Sequence, residues 1–165
     1  MGMSEGRAVW TGREDRPGER TRASDSQKPV ALGRVMMVDD DDVDQMLYHR
    51  VLKRNAQVDE LIPHTSPCEA LEQLCGGLAV DLILLDINMP RLTGFEFLEA
   101  ASERLGSDLG GIRVAMLTTS LDPGDKARAL AHPAVTTFLN KPLRPEHLPH
   151  LALDPTIREA ALKGA

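Results

Sequence analysis

The chain has 165 residues, with 19 lysines and arginines against 25 aspartates and glutamates, for a net charge of −6. That length suits one domain with tails, and the acidic balance excludes a protein that grips nucleic acid through a general basic surface. Apolar residues make up 42% and aromatics 3%, so the core must be built from aliphatic side chains and Met, and apolar runs no longer than residues 35–38 or 82–85 exclude a membrane-spanning helix.

Residues 1–28 hold six basic and five acidic residues, few apolar ones and no periodicity. Such a segment cannot bury enough surface to offset the entropy of ordering, so it is read as a disordered leader, with a short docking arm around Trp10 as the alternative. It has no h-region, which makes the cytoplasm the expected location. Beyond it, residues 35–38 form a continuous apolar run, as a strand buried on both faces requires. Five acids then crowd residues 39–44. Residues 44–53 place Met46, Leu47, Arg50 and Val51 at helical offsets. Residues 61–64 form a weaker strand, suited to a sheet edge. Ser66, Pro67 and Glu69 read as N-cap, first turn and third helical position of a helix that stops at Gly76 and Gly77. Residues 82–85 are a second buried strand, residues 95–101 a helix, 114–117 a third buried strand, 125–130 a short helix, and 135–139 another edge-type strand. Pro145 suits the first turn of a last helix that Pro149 and Pro155 interrupt. Cys68 and Cys75, without nearby partners, form neither a disulfide framework nor a metal site.

Strands alternating with helices predict a parallel sheet with right-handed crossovers in a three-layer α/β/α sandwich. Ligand sites in such sheets lie beyond the carboxyl ends of the strands. Here those ends carry Asp39 and Asp40, then Asp86, Thr118 and Lys141. Three carboxylates gathered at one sheet end repel one another unless neutralised. A hard divalent cation resolves that, Mg²⁺ being suited to one or two carboxylates plus phosphate oxygens. A lysine and a hydroxyl facing the same point add donors for a phosphoryl group. The set therefore reads as a phosphoryl-transfer site.

Five motifs carry a resemblance to a known family. They are Val38, Asp39 and Asp40; Asp81 through Asp86 and on to Asn88 and Pro90; Gly94 through Leu98; Leu117, Thr118, Thr119 and Ser120; and Phe138, Lys141 and Pro142. In that order, at those strand ends, the chain resembles the CheY-like receiver domain of two-component response regulators over about residues 30–150. The resemblance implies a (βα)5 flavodoxin-like fold with strand order 2-1-3-4-5, a receiver domain at 29–153, and a C-terminal tail or helix extension at 154–165. It makes Asp86 the phospho-acceptor. Asp39, Asp40, Asp86 and the backbone carbonyl of Asn88 become the Mg²⁺ ligands, and Thr118 and Lys141 the partners of the phosphoryl group. Thr118 and Phe138 become the switch pair, and the Lys141-Pro142 bond is expected to be cis.

The function this implies is a single-domain response regulator rather than an enzyme. It would accept phosphate from a phosphohistidine of a sensor kinase or phosphotransfer protein, and signal by protein contact. The acidic motif near Asp40 together with Leu117–Ser120 is similar to regulators that partner phytochrome-type kinases. A homodimer is left open, although the prolines after Lys141 argue against the usual dimer face. A phosphorelay intermediate or phosphate sink is the first alternative. A haloacid-dehalogenase-type phosphohydrolase is less favoured, because it needs an acid two residues after the nucleophile and the chain has Asn88. Asp41, Asp42 and Asp44 are read as a solvated helix start. His49, His64, His132, His147 and His150 are read as surface residues.

Overall fold

The computed structural model describes residues 29–152. The expected disordered leader, with its Trp10 arm, and the tail at 154–165 lie outside the described residues. Five strands, β1 (Val30–Val38), β2 (Ala56–His64), β3 (Leu82–Asp86), β4 (Arg113–Thr118) and β5 (Val135–Asn140), alternate with helices α1 (Asp42–Asn55), α2 (Pro67–Cys75), α3 (Gly94–Leu105) and α4 (Pro123–Leu130). All pairings are parallel, and the sheet order is β2-β1-β3-β4-β5.

Strands β3 and β4 are buried along their whole length, which explains their uninterrupted apolar sequences. One face of the sheet packs Met36, Val38, Ile83, Leu85 and Met116 against Leu71 and Leu74 of α2 and Phe97 and Leu98 of α3. The other packs Val35, Met37, Leu82, Leu84 and Leu117 against Tyr48 and Leu52 of α1 and Leu148 and Leu151 near the C-terminal end. The sandwich is therefore three-layered, as expected.

The departures lie where pattern is weakest. β2 is nine residues long rather than four, because an edge strand buries little and its sequence carries no clean apolar run. β1 starts five residues earlier than its apolar run, across a register shift at Gly33. Gly33 has φ +73°, and a side chain there would strike the Asp81 carboxylate, which accepts a 2.7 Å hydrogen bond from the Arg34 N–H. On α1 the buried stripe is Gln45, Tyr48 and Leu52, and Met46 points to solvent. The last helical segment of the described residues is a 3-10 helix, Pro145–Leu151, with Pro149 inside it. Proline removes the donor an α-helix needs there. Buried Arg113, at the start of β4, instead donates to the carbonyls of Leu151 and Ala152 and holds the segment's end against the sheet.

Candidate functional site

The carboxyl ends of β1, β3, β4 and β5 converge on one acidic pocket. Asp39 follows the last residue of β1 and is fully buried. Its Oδ1 accepts from the Asp41 N–H at 3.0 Å, and its Oδ2 accepts from Tyr48 Oη at 2.6 Å and Lys141 Nζ at 2.7 Å. Asp86 ends β3 and is also buried. Asp40 is exposed at the mouth. One carboxylate oxygen from each of Asp39, Asp40 and Asp86 lies within 4.8 Å of the others.

Lys141, which follows β5, brings one positive charge to this acidic cluster. The Lys141-Pro142 bond is cis, as expected. Its Nζ lies 2.7 Å from Asp39, 2.8 Å from Asp44 and 3.1 Å from Asp86, with the side chain 8% exposed. Burial by itself would lower the lysine's affinity for its proton. Its hydrogen bonds to Asp39 and Asp44 outweigh that and hold the ammonium charged well above the ordinary lysine range. Burial raises the Asp86 carboxyl above its usual range, Lys141 opposes the rise, and the Asp39 charge adds to it. Tyr48 is pushed far above the ordinary phenol range by burial and by its hydrogen bond to Asp39, so it remains a donor to that carboxylate.

Thr118 ends β4, fully buried, and its hydroxyl accepts from the Ser120 N–H at 2.9 Å. Its carbonyl accepts from the Lys141 N–H at 2.8 Å, tying the ends of β4 and β5 together. Phe138 pairs with Met116 in register, two residues before the Thr118–Asn140 pair, and is half-buried against the α2–α3 side of the core. Asn88 lies two residues beyond Asp86 and is exposed. Thr93 caps α3: its side chain accepts from the Glu96 N–H while the Glu96 carboxylate accepts from the Thr93 N–H.

Two sequence expectations need correction. Asp41 does cap α1, accepting from the Val43 N–H at 2.7 Å, but Asp44 is not merely solvated. It is half-buried and ion-paired at 2.8 Å with Lys141, the residue that follows β5. His64 is not a surface residue. It ends β2 only 7% exposed, and its carbonyl accepts from both the Asp39 N–H and Gln45 Nε2. His132, half-buried, bridges Ser102 and the Ala134 N–H, and His147 accepts from the Arg144 N–H.

Burial lowers the His64 imidazole below its ordinary value, against the opposing charge of Glu69. A histidine held neutral in the fold binds protons more readily when unfolded. Stability therefore falls as pH drops through about 6.5 and on to the lower folded value. The thermal midpoint should fall between about pH 7.5 and about pH 5.5, and less steeply in His64→Gln. Equal slopes in the two proteins would show that His64 is not the group responsible.

Sequence reasoning missed Asp44, Gln45 and Tyr48. The last two are buried polar residues three apart on the inner face of α1. Gln45 Nε2 donates to the carbonyls of Met37, Asp39 and His64 and so joins the ends of β1 and β2. Their signal was present as polar residues inside an amphipathic stripe, but a polar residue in that position gives no indication of its partner.

Hard oxygen donors of this number and spacing fit a small divalent cation, and the exposed Asp40 leaves the cluster open to solvent. Together with the sheet order, this places the chain in the class of CheY-like signalling folds. It is similar to a two-component response regulator from Cytophaga hutchinsonii at TM-score 0.68 and 27% identity, covering 81% of this chain and 98% of that one. It is also similar to the chemotaxis protein CheY4 of Vibrio cholerae at TM-score 0.55 and 28% identity, again over 81% and 98%. The family model of the response regulator receiver domain matches residues 35–152, and the chain belongs to that family. Among curated relatives, the two-component response regulator ORR6 of Oryza sativa subsp. japonica is 34% identical over 119 residues, 71% of this chain and 67% of that protein. ORR3 of Oryza sativa subsp. indica is 32% identical over 117 residues, 71% and 86% of the respective chains. Among the described residues no helix is long and apolar enough to cross a membrane.

Proposed function

We propose that Asp86 accepts a phosphoryl group from a phosphohistidine on a sensor kinase or phosphotransfer protein, and that the phosphorylated chain signals through protein–protein contact. One observation carries this reading. A buried carboxylate at the end of a central strand sits 3.1 Å from a buried lysine and shares a cluster with two further aspartates.

An Asp86 carboxylate oxygen would attack phosphorus in line, forming the acyl phosphate. The P–N bond breaks, and the imidazole leaves with its electron pair and takes a proton from solvent. Transfer of this kind needs placement and charge neutralisation more than covalent help. Lys141 supplies a fixed positive charge beside the attacking group, and the Thr118 hydroxyl lies at the neighbouring strand end as a further donor. Asp39, Asp40, Asp86 and the backbone carbonyl of Asn88 would hold Mg²⁺, which supplies positive charge against the phosphoryl oxygens. Phe138, on the strand next to Thr118, would report the state of the site by a change of rotamer, a change governed by packing because Phe has no hydroxyl. The similarity to response regulators of both plants and bacteria supports the chemistry, and the choice of kinase, phytochrome-type or other, rests on contacts outside the acidic pocket.

Incubation with acetyl phosphate and Mg²⁺ should attach one phosphoryl group, and borohydride trapping followed by peptide mapping should place it at Asp86. Omitting Mg²⁺ should abolish the reaction. Label recovered on another residue would overturn the assignment. Phosphotransfer profiling against purified histidine kinases then identifies the donor.

A further inference from the structure

Asp44 belongs to no part of the phosphoryl or metal set, yet its Oδ2 lies 2.8 Å from Lys141 Nζ, closer than Asp86 at 3.1 Å. An ammonium has three N–H donors. Two go to Asp39 and Asp44 in hydrogen bonds, and Asp86 stands at ion-pair distance on the remaining side, so only one N–H is uncommitted before any phosphoryl group arrives. The two acceptors are not equivalent. Asp39 Oδ2 also accepts from Tyr48, and Asp39 Oδ1 from the Asp41 N–H, so that carboxylate stays hydrogen-bonded if the lysine moves. Among the described residues, the Asp44 carboxylate accepts from Lys141 alone.

We propose that Asp44 is a positioning residue: it holds Lys141 toward α1 and so sets how readily the lysine engages a phosphoryl group on Asp86. The inference rests on the reading of Asp86 as acceptor. On phosphorylation, the N–H not held by Asp39 or Asp44 turns to a phosphoryl oxygen. A second N–H can follow only by leaving Asp39 or Asp44. Asp44 also adds a negative charge facing the incoming phosphoryl oxygens across the lysine. Removing that charge should release one donor and lower the local repulsion, and both effects act in the same direction.

The test uses the full chain as wild type, Asp44→Asn, Asp44→Glu and Asp86→Asn, with two readouts. The first needs neither metal nor phosphate. The Lys141 Nζ–H correlation in a proton–nitrogen spectrum of lysine-labelled protein should be visible in wild type and in Asp44→Glu, and should shift or broaden away in Asp44→Asn. The second is beryllofluoride affinity at saturating Mg²⁺. Asp44→Asn should bind about three- to tenfold more tightly, the size expected from one nearby charge in a partly solvated site, and Asp44→Glu should return to the wild-type value. A merely structural role for Asp44 would weaken binding in Asp44→Asn. Unchanged or weaker beryllofluoride binding in that variant, or an unaltered Lys141 signal, would overturn the proposal. If wild type binds no beryllofluoride, or Asp86→Asn binds it as well as wild type, the reading of Asp86 fails instead, and the Lys141 signal still decides whether Asp44 holds the lysine.

Discussion

Asp86→Asn is expected to lose all phosphorylation by acetyl phosphate while gaining stability in the metal-free state. The two effects have one origin. Asp86 is 4% exposed, and its carboxylate is desolvated at the end of β3. Burial raises its pKa, Lys141 opposes the rise, and Asp39 adds to it. A carboxylic acid whose folded pKa lies above its unfolded value destabilises the fold as pH rises through that interval, and the full cost is present above it. At neutral pH the wild-type protein bears that cost. Asparagine keeps the shape and removes the charge, and Lys141 retains Asp39 and Asp44 as partners. The gain should appear as a rise of a few degrees in the thermal midpoint for a domain of this size. Calorimetry in chelator should show the rise, and added Mg²⁺ should narrow the difference by stabilising the wild type more. A metal-free midpoint lower in Asp86→Asn than in wild type would mean that Lys141 depends on Asp86 more than on its other two partners.

Gly94→Ala should damage both the fold and the site, through a contact that no property of the residue itself announces. Gly94 opens α3, and its N–H donates to the Ile87 carbonyl at 2.9 Å. A methyl group there would stand 2.5 Å from the backbone oxygen of Asp86 and 3.0 Å from the Ile87 Cα. Backbone atoms cannot swing aside as a side-chain tip can, so α3 must move away from the end of β3 or Asp86 must shift. Overpacking of this kind costs about 1–3 kcal/mol, and a backbone clash belongs at the upper end. Gly110→Ala is the control: a Cβ there meets nothing within 4 Å, and surface changes of that sort stay within about 0.5 kcal/mol. Urea denaturation should separate the two variants clearly, and labelling of Gly94→Ala by acetyl phosphate should be slowed even where the protein is fully folded. Equal midpoints for the two variants would show that the approach of α3 to Asp86 is not tight.

Most of the architecture was legible because it depends on local pattern. Buried parallel strands announce themselves as unbroken apolar runs, and β3 and β4 did so within a residue or two. Ser66, Pro67 and Glu69 marked the start of α2 from side chains alone. The edges were poorly legible for the converse reason. β2 buries few of its side chains, and the N-terminal part of β1 depends on Gly33 fitting against Asp81, a residue 48 positions away. Prolines 145 and 149 foretold trouble for the last helix. That the segment becomes a 3-10 helix anchored by Arg113 depends on a buried side chain from another strand, which no local pattern encodes.

The same division holds at the pocket. Asp39, Asp40, Asp86, Thr118 and Lys141 could be named from sequence because strands of a parallel sheet all deliver their carboxyl ends to one side, so residues that follow strands must meet. Which groups then pair with which is decided by packing. Asp44 looked like an ordinary first-turn acid and His64 like a surface histidine. Tyr48 drew no notice. α1, packed on one face of the sheet, brings Asp44 to Lys141 and Tyr48 to Asp39, and His64 at the end of β2 is left only 7% exposed. By itself the sequence determined the fold, the family and the residues at the strand ends, because these follow from periodicity and chain order. Only the tertiary structure decided that Lys141 is shared among three carboxylates, because an ion pair depends on a few ångströms of helix placement that one-dimensional pattern does not carry.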